Sequence, residues 1–203
     1  MAKTEVQMQE KSGGTLQKTT RSVMVRGITS IAFDRYAGDN QTQLEVHQKM
    51  YFMPDLKTIA LPAENIQSFL SSQNTMSASQ RLGIKGWRKI ALACLSFVSI
   101  NPEIIPFTRN GKPITFGKFE GDTDKESGVL IKRHVARLPK GIPNPKVRPF
   151  LPCPWELEFT VSIYQTNEIQ ETMVKKLFID GGIALGFGTF RGVFGKFEVV
   201  KWE

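Results

Sequence analysis

The sequence predicts an α+β fold in which two helices cover one face of an antiparallel sheet. Two strand–helix pairs carry this prediction, one in the first third of the chain and one near its end. The second pair is the clearer one, because apolar and polar residues alternate from Trp155 to Tyr164. A period of two places every second side chain on one face, so this segment is expected to form a strand with one buried face.

The chain starts with a polar segment. Residues 1–21 are rich in Lys, Gln, Thr and Gly and have no apolar period, which predicts a flexible arm. The remainder, residues 22–203, is predicted to form a single domain. Its first element is the β-branched run from Val23 to Phe33, which is typical of a core strand.

The first helix is predicted from a proline. After an extended piece around residues 44–53, a short strand is expected at Thr58–Leu61. Pro62 follows it, and proline suits the first turn of a helix because its missing N–H would be unpaired there anyway. We expect this helix to end near Ser71.

The middle of the chain is ambiguous. The apolar run from Ile90 to Ile100 fits a buried helix or a buried strand by periodicity, and we expect a strand over its second half. Turn-forming residues recur between residues 101 and 126, and Asn110-Gly111 is typical of a two-residue hairpin turn. Residues 74–126 are therefore predicted to be a hairpin-bearing insertion.

The C-terminal pair completes the sheet. Asn167 is expected to cap a helix with apolar residues at helical spacing, and Asp180 with the two glycines after it is expected to end that helix. A last strand is predicted from Phe194 to Trp202. Both pairs together give the βαββαβ order of a ferredoxin-like sheet, with the helices on one face. The opposite face, or the loops at its edge, would then be free for a ligand.

The charge balance indicates a polyanionic partner. The chain has 27 Lys and Arg against 19 Asp and Glu, a formal net charge of +8, which favours nucleic acid or an anionic surface. The two cysteines and two histidines show no spacing typical of a disulfide framework, a metal site or histidine-based catalysis. No apolar stretch suits a signal core or a membrane span. The sequence therefore predicts a cytoplasmic protein without a cofactor.

The glycine-rich segment at residues 181–197 is the most informative stretch. Glycines let backbone amides approach a phosphate, basic residues add charge, and phenylalanine rings offer faces on which bases stack. The segment lacks the Lys–Ser/Thr pair of a P-loop. Alternatively, the glycines form a tight connection and the phenylalanines fill the core. The predicted nucleic-acid-binding residues here are Gly186, Phe187, Gly188, Arg191, Gly192 and Lys196.

A basic tract supports the same interpretation. No acidic residue occurs between residues 132 and 148, and several prolines hold this stretch extended, as suits an arm that follows a phosphate backbone. The alternative is a solvated edge strand made basic for solubility. Basic residues beside Trp87 repeat the combination of charge and aromatic ring. The predicted binding residues are Lys132, Arg133, Arg137, Lys140, Lys146 and Arg148, with Arg88 and Lys89.

The C-terminal pattern G-x-x-x-G-F-G-T-F-R-G-V-F-G-K-F-E-V, which begins at Gly182, resembles the glycine-rich loop and closing strand of the RAMP superfamily. These RRM-like proteins form the crRNA-binding subunits of CRISPR effectors. The segment Thr58–Leu70 is similar to the strand, proline and helix that follow their first hairpin, and the order of the two segments is the same. A looser likeness extends to solitary RAMP-like proteins of phage and prophage genomes.

The resemblance implies a partner and a way of assembling. It implies binding of single-stranded RNA or DNA, RNA in preference, with self-association along the strand or incorporation into a ribonucleoprotein in a bacterial host cell. It also implies a basic residue on the first helix, where this chain has Ser68 and Ser71. The second function class left open is a phage structural or interaction protein, or a mimic of a CRISPR subunit, that acts through protein contacts.

Asp34 is the weak catalytic candidate, and Asp39 is an alternative to it. Asp34 lies in the loop after the first strand and resembles in placement the acid that some RAMP subunits use for metal-dependent RNA cleavage. An aspartate in such a loop is usually a turn former, and no partner base is identifiable from the sequence. We therefore expect binding without catalysis, and no metal.

Overall fold

The computed structural model describes residues 16–39, 41–73, 75–137 and 143–203. A 3-10 turn at His47–Lys49 precedes β3, and the α-helices are α1 (Ala63–Ser71), α2 (Ala78–Arg81), α3 (Trp87–Phe97) and α4 (Glu171–Ala184). The strands are β1 (Lys18–Gly27), β2 (Ile31–Ala32), β3 (Tyr51–Phe52), β4 (Ile59–Pro62), β5 (Val98–Asn101), β6 (Ile104–Pro106), β7 (Thr108–Arg109), β8 (Lys112–Pro113), β9 (Phe119–Glu120), β10 (Thr123–Asp124), β11 (Leu130–Arg137), β12 (Pro143–Leu151), β13 (Glu156–Tyr164) and β14 (Phe197–Trp202).

The central sheet has the strand order of a ferredoxin-like fold. Strands β14, β1, β13 and β5 lie side by side in that order, and each neighbouring pair is antiparallel. Along the chain, β1, α1, β5, β13, α4 and β14 give the βαββαβ order. The predicted fold class is therefore confirmed. β7 and β8 extend the sheet at the start of β13, where Glu156 pairs with Thr108.

Both principal helices pack on one face of this sheet. The ring of Phe178, in α4, lies 5.8 Å from that of Phe159 in β13 and 5.7 Å from that of Phe69 in α1. Phe69 in turn lies 5.7 Å from Phe197 of β14. Aromatic pairs at these distances stabilise a core beyond the area that they bury. The core therefore sits between the two helices and the buried face of the sheet.

Two smaller sheets flank the central one. Strands β2, β12, β11, β10 and β9 form one of them, and β3, β4 and β6 form the other. The long β11–β12 pair, called here the basic hairpin, is joined at its base to β2, since Ile31 and Ala32 pair with Leu151 and Phe150. Ala32 also forms a β-bridge to Thr189. The basic hairpin and the glycine-rich segment therefore meet at β2.

The apolar run after Trp87 is mostly helical. The prediction of a strand over the second half of Ile90–Ile100 is wrong up to Phe97, because α3 buries Ile90 and Cys94 at helical spacing. Only Val98–Asn101 forms a strand, and it belongs to the central sheet. The predicted insertion at residues 74–126 therefore contains part of the ferredoxin-like core. Its predicted hairpin turn is present at Asn110-Gly111, where both residues have positive φ.

Helix α4 begins and ends later than predicted. Gln170, and not Asn167, precedes its first residue, and the helix continues through Gly181 and Gly182 to Ala184. A Cβ on Gly181 would lie 2.7 Å from the Cβ of Ala78 in α2. The glycines therefore do not end the helix, and they let a neighbouring helix approach it closely.

Strand β1 begins inside the predicted arm. Lys18 to Arg21 pair with residues of β13, because that strand is long enough to offer them partners. Arg21 also donates to both carboxylate oxygens of Glu171, at 2.6 and 2.8 Å. Residues 1–15 of the predicted arm lie outside the described residues. No helix in the described ranges is long and apolar enough to cross a membrane.

Candidate nucleic-acid interface

Residues 185–196 form the glycine-rich loop, which connects α4 to β14. Within it, Phe187 is fully buried, and its ring lies 4.2 Å from that of Phe197 and 5.1 Å from that of Phe69. The loop folds back on itself, since the Phe187 amide donates to the Gly195 carbonyl at 2.9 Å. Phe187 therefore fills the core, and the prediction that it offers a face to a ligand is wrong.

The amides of the predicted glycines are already hydrogen-bonded. The Gly188 amide donates to Asn65 Oδ1 at 2.9 Å, and the Gly186 and Gly192 amides donate to backbone carbonyls at 3.2 and 2.6 Å. A paired amide would have to give up its partner to bind a phosphate, which is unfavourable. A Cβ on Gly188 would also lie 2.6 Å from the carbonyl oxygen of Ala32. These glycines shape the loop, and their amides are not available to a phosphate.

Arg191 lies beside a second arginine, Arg81 of α2, which was not among the predicted site residues. Arg81 Nε donates to the carbonyl of Ala184 at 3.1 Å, and Arg191 Nη2 donates to Thr75 Oγ1. Neither arginine forms an ion pair with any acidic residue of the described ranges. Together they border a cavity of about 420 Å³, called here the arginine cavity, whose lining comprises Asn65, Ser68, Thr75, Met76, Arg81, Leu185, Gly188, Thr189, Phe190 and Arg191.

The electrostatics of the arginine cavity favour an anion. Burial of the Arg191 guanidinium lowers its pKa below the usual value of an arginine, and an arginine still keeps its charge at neutral pH. Its lining contains no acidic residue. A partly buried cation without an acidic partner has lost water contacts that an anion would replace. Ser68 of α1, where the resemblance to RAMP proteins implied a basic residue, also lines this cavity, whereas the cations of the lining are Arg81 of α2 and Arg191 of the loop.

Phe190 has an unusual backbone conformation. Its φ is +56°, in the left-handed region that bulky side chains rarely adopt, at a cost of roughly 1–3 kcal/mol. Phe190 is 40% exposed and lines the arginine cavity. The loop therefore holds an exposed aromatic ring next to two cations.

The basic hairpin meets the glycine-rich loop in an aromatic cluster, defined by His134, Phe150, Phe190 and Phe194. The ring centroids of Phe150 and Phe194 are 4.8 Å apart, and that of His134 lies 5.1 Å from Phe150 and 6.2 Å from Phe190. The cluster fixes the inner face of the hairpin, which is the face that carries His134, against the loop.

The same inner face carries the lysines of the hairpin. The register places Lys132 opposite Arg148 and His134 opposite Lys146. Lys132 Nζ lies 5.1 Å from the centroid of the Phe150 ring, within the range of a cation–π contact. Lys132 and Lys146 are both partly exposed. The inner face therefore combines aromatic rings with cations that a ligand can reach.

Arg148 is the exception on this face. Its Nε and Nη2 both lie 2.8 Å from Asp34 Oδ2, and its side chain is only 8% exposed. The prediction that Arg148 contacts phosphate is therefore corrected, because Asp34 already neutralises it. Asp34, the weak catalytic candidate, acts here as its structural partner. Over the described residues, no three His, Cys, Asp or Glu side chains cluster in a way that would hold a metal ion.

The other predicted cations lie apart from the arginine cavity. Arg133 is on the outer face of the hairpin and forms an exposed ion pair with Asp122 at 3.2 Å, which contributes little to stability. Lys196 is the last residue of the loop, and its amide donates to Thr29 Oγ1 at 2.9 Å. Neither Arg133 nor Lys196 lines the cavity.

The remaining predicted binding residues are two cations beside Trp87 and two in the basic tract. Arg88 and Lys89 are exposed in the first turn of α3, and the Arg88 guanidinium lies 5.2 Å from the centroid of the Trp87 ring. They do not belong to the cavity lining. The backbone of Arg137 pairs with Pro143 across the hairpin. Lys140 lies outside the described residues.

The solvent face of the central sheet is poorly suited to polyanions. The alternation along β13 places Glu156, Glu158 and Tyr164 on this face, opposite the buried positions. Arg26 of β1, on the same face, is paired with Glu156 at 2.9 Å. Acidic side chains repel phosphates. Of the two places that the sequence left open for a ligand, the loops at the sheet edge therefore have the more favourable charge.

The architecture defines an α+β protein of the ferredoxin-like class with a basic hairpin and a cation-bordered loop at one edge. No protein-family model and no curated protein matches the sequence. Among solved structures, it is similar to a chain in the cryo-EM structure of the Type III-B Cmr-beta bound to cognate target RNA, with a TM-score of 0.55 and 14% sequence identity. The match covers 92% of this chain and 60% of that chain. The similarity shows the fold.

Proposed function

We propose that this protein binds single-stranded nucleic acid, with RNA as its first ligand, along the arginine cavity and the inner face of the basic hairpin. One observation carries the proposal: Arg81 and Arg191 border the same cavity without an acidic partner in the described part of the chain. The aromatic cluster and the two inner-face lysines continue this surface. Grooves that combine cations with aromatic rings are typical of proteins that bind single strands.

RNA is favoured by the comparison with solved structures. The complex that contains the similar chain is bound to target RNA. Incorporation into a ribonucleoprotein is part of the proposal for the same reason. The proposal is for binding alone and assigns no catalytic role to Asp34, whose carboxylate forms an ion pair with Arg148.

Fluorescence anisotropy with a labelled single-stranded RNA tests the proposal. Affinity should fall steeply with added salt, with a log–log slope of about −0.7 for each phosphate contacted. The double variant Arg81→Gln/Arg191→Gln should lose most of the affinity. Arg26→Gln is the matched control, because it removes an arginine from the solvent face of the sheet, where Glu156 already pairs with it. Binding that is insensitive to salt, or a double variant that binds like the wild type, would contradict the proposal.

Side-by-side assembly along a strand is the second part of the proposal. Helix α3 exposes Leu92 and Leu95, one turn apart, with 49% and 56% of their surfaces accessible. Neighbouring apolar side chains on an exposed helix face are suited to a protein contact. Light scattering with RNAs of increasing length should show assemblies that grow with the strand in the wild type. Leu92→Gln/Leu95→Gln should reduce the size of the assemblies on long RNAs. A one-to-one complex of wild type and RNA at every RNA length would exclude side-by-side assembly.

A further inference from the structure

The lining of the arginine cavity combines two chemically different kinds of residue. Arg81 and Arg191 bring guanidinium groups, and Phe190 brings a partly exposed aromatic ring. The volume of the cavity, about 420 Å³, lies within the range of roughly 300–1,000 Å³ typical of small-molecule sites. A ligand that is complementary to both kinds of residue must combine an anionic group with a flat, stackable group.

The Phe190 ring packs against three side chains of the basic hairpin and the glycine-rich loop. The Arg148 guanidinium lies 6.0 Å from its centroid, and the rings of Phe194 and His134 lie at 5.9 and 6.2 Å. Its backbone remains in the left-handed region, although a glycine or asparagine would adopt this conformation more readily. Strained backbone at a surface position with an ordered side chain is a feature that clusters at ligand sites.

Both arginines of the cavity are held by hydrogen bonds. Arg81 Nε is tied to the carbonyl of Ala184, which ends α4, and Arg191 is tied to the Thr75 hydroxyl. Each guanidinium carries five N–H donors, and these contacts use only part of them. The remaining donors can form charge-assisted hydrogen bonds to a phosphate.

We infer that the arginine cavity holds one nucleotide unit of the bound strand, with its phosphodiester between Arg81 and Arg191 and its base stacked on Phe190. This inference rests on the proposed function and assigns Phe190 and Arg81 as binding residues. Stacking tolerates every base, since each has a π-face. The site therefore discriminates an unpaired nucleotide from a bare phosphate backbone and does not discriminate one base from another.

Two single-stranded RNAs with equal charge, one with bases and one without, provide the test. Anisotropy compares a labelled single-stranded RNA with an abasic strand that has the same number of phosphates. The wild type should prefer the base-bearing strand by between about fivefold and about 150-fold, the range expected for stacking of one base. Phe190→Leu keeps an apolar side chain without a ring, and it should lose this preference while keeping its affinity for the abasic strand. Phe190→Tyr should retain the preference.

Arg81→Gln separates the phosphate contact from the stacking contact. It should weaken binding of both strands equally and make the salt slope shallower by about 0.7. A wild type that binds both strands alike, or a folded Phe190→Leu protein that keeps the preference, would overturn the inference while leaving the proposed function intact. A wild type that binds neither strand would refute the proposed function, and the inference with it. Melting temperatures of all variants confirm that each one is folded.

Discussion

Arg148 and Asp34 form an ion pair that joins the base of the basic hairpin to the loop after β2, with Arg148 Nε 2.8 Å from Asp34 Oδ2. The arginine is nearly buried and the aspartate is 23% exposed. β2 pairs with Phe150 and Leu151 at the same place. The ion pair and the strand pairing therefore hold the hairpin in position beside the glycine-rich loop.

Asp34→Asn is expected to lower the free energy of unfolding by about 1–3 kcal/mol, because it leaves a buried guanidinium without its acid. Arg148→Met in the Asp34→Asn background should recover part of this loss, since the unpaired charge is then absent. Urea unfolding of both single variants and the double variant measures the coupling. Strictly additive losses would show that the pair does not interact. An RNase activity lost in a stable Asp34→Asn protein would instead assign Asp34 a catalytic role.

Gly188→Ala is expected to destabilise the protein more than Gly192→Ala. Both glycines have positive φ, +78° and +89°, so both substitutions introduce backbone strain. At Gly188 the new Cβ would also lie 2.6 Å from the Ala32 carbonyl oxygen, whereas the nearest atom at Gly192 is Arg81 Nη2 at 3.6 Å. Because of this steric clash, Gly188→Ala should lower the free energy of unfolding by about 1–3 kcal/mol more than Gly192→Ala. Thermal and urea unfolding of the two variants measure it, and equal losses would mean that Ala32 moves aside without cost.

The parts of the fold that were predictable depend on local periodicity. The alternation before Tyr164 places every second residue of β13 in the core, and the Pro62 signal places the start of α1 correctly, because both patterns act through neighbouring residues. Gly181 misled the prediction for the opposite reason. Its role in α4 depends on Ala78, which is distant in sequence, and no local pattern reports that contact.

The candidate site was only partly predictable for the same reason. Arg191 was identified from the glycine-rich pattern around it, and it does border the cavity. The neutralisation of Arg148 depends on Asp34, 114 residues away, and Arg81 reaches the cavity only through the packing of α2 against α4. Sequence patterns indicate which residues are basic, whereas the fold decides which of those charges remain unpaired.

Asp124 is expected to make stability depend on pH in the acid range. The residue is 2% exposed. Burial raises the pKa of its carboxyl, but hydrogen bonds from Ser127, the amide of Gly117 and the amide of Glu126 outweigh it, so the pKa lies below its usual value. A carboxyl with a lowered pKa in the folded state stabilises it above the unfolded pKa of about 3.9, and this contribution is lost as the pH falls through the folded value.

Asp124→Asn therefore tests the contribution of the charge. At neutral pH, it should lower the free energy of unfolding by about 1–3 kcal/mol, because the amide nitrogen cannot accept the hydrogen bonds of the carboxylate. The difference from the wild type should shrink as the pH is lowered below about 4, because the carboxyl of the unfolded chain then binds a proton, and it should be smallest below the lowered pKa of the folded state. Urea unfolding at pH values from neutral to below about 4 gives the free energy of unfolding of the wild type and of Asp124→Asn. A difference between them that does not change with pH would contradict the stabilising role of the Asp124 charge.

The inner face of the basic hairpin should contribute charge to binding, whereas its outer face should contribute little. Lys132 and Lys146 project from the face that meets the glycine-rich loop, and Arg133 projects from the other face, where Asp122 pairs with it. Each of Lys132→Gln and Lys146→Gln is expected to weaken RNA binding and to make the salt slope shallower by about 0.7, the contribution of one phosphate contact. Arg133→Gln is the matched control and should leave the slope close to that of the wild type. Anisotropy titrations at several salt concentrations give all the slopes. If Arg133→Gln weakened binding as much as the two lysine variants, the bound RNA would contact both faces of the hairpin. That result would contradict the proposed binding along the inner face.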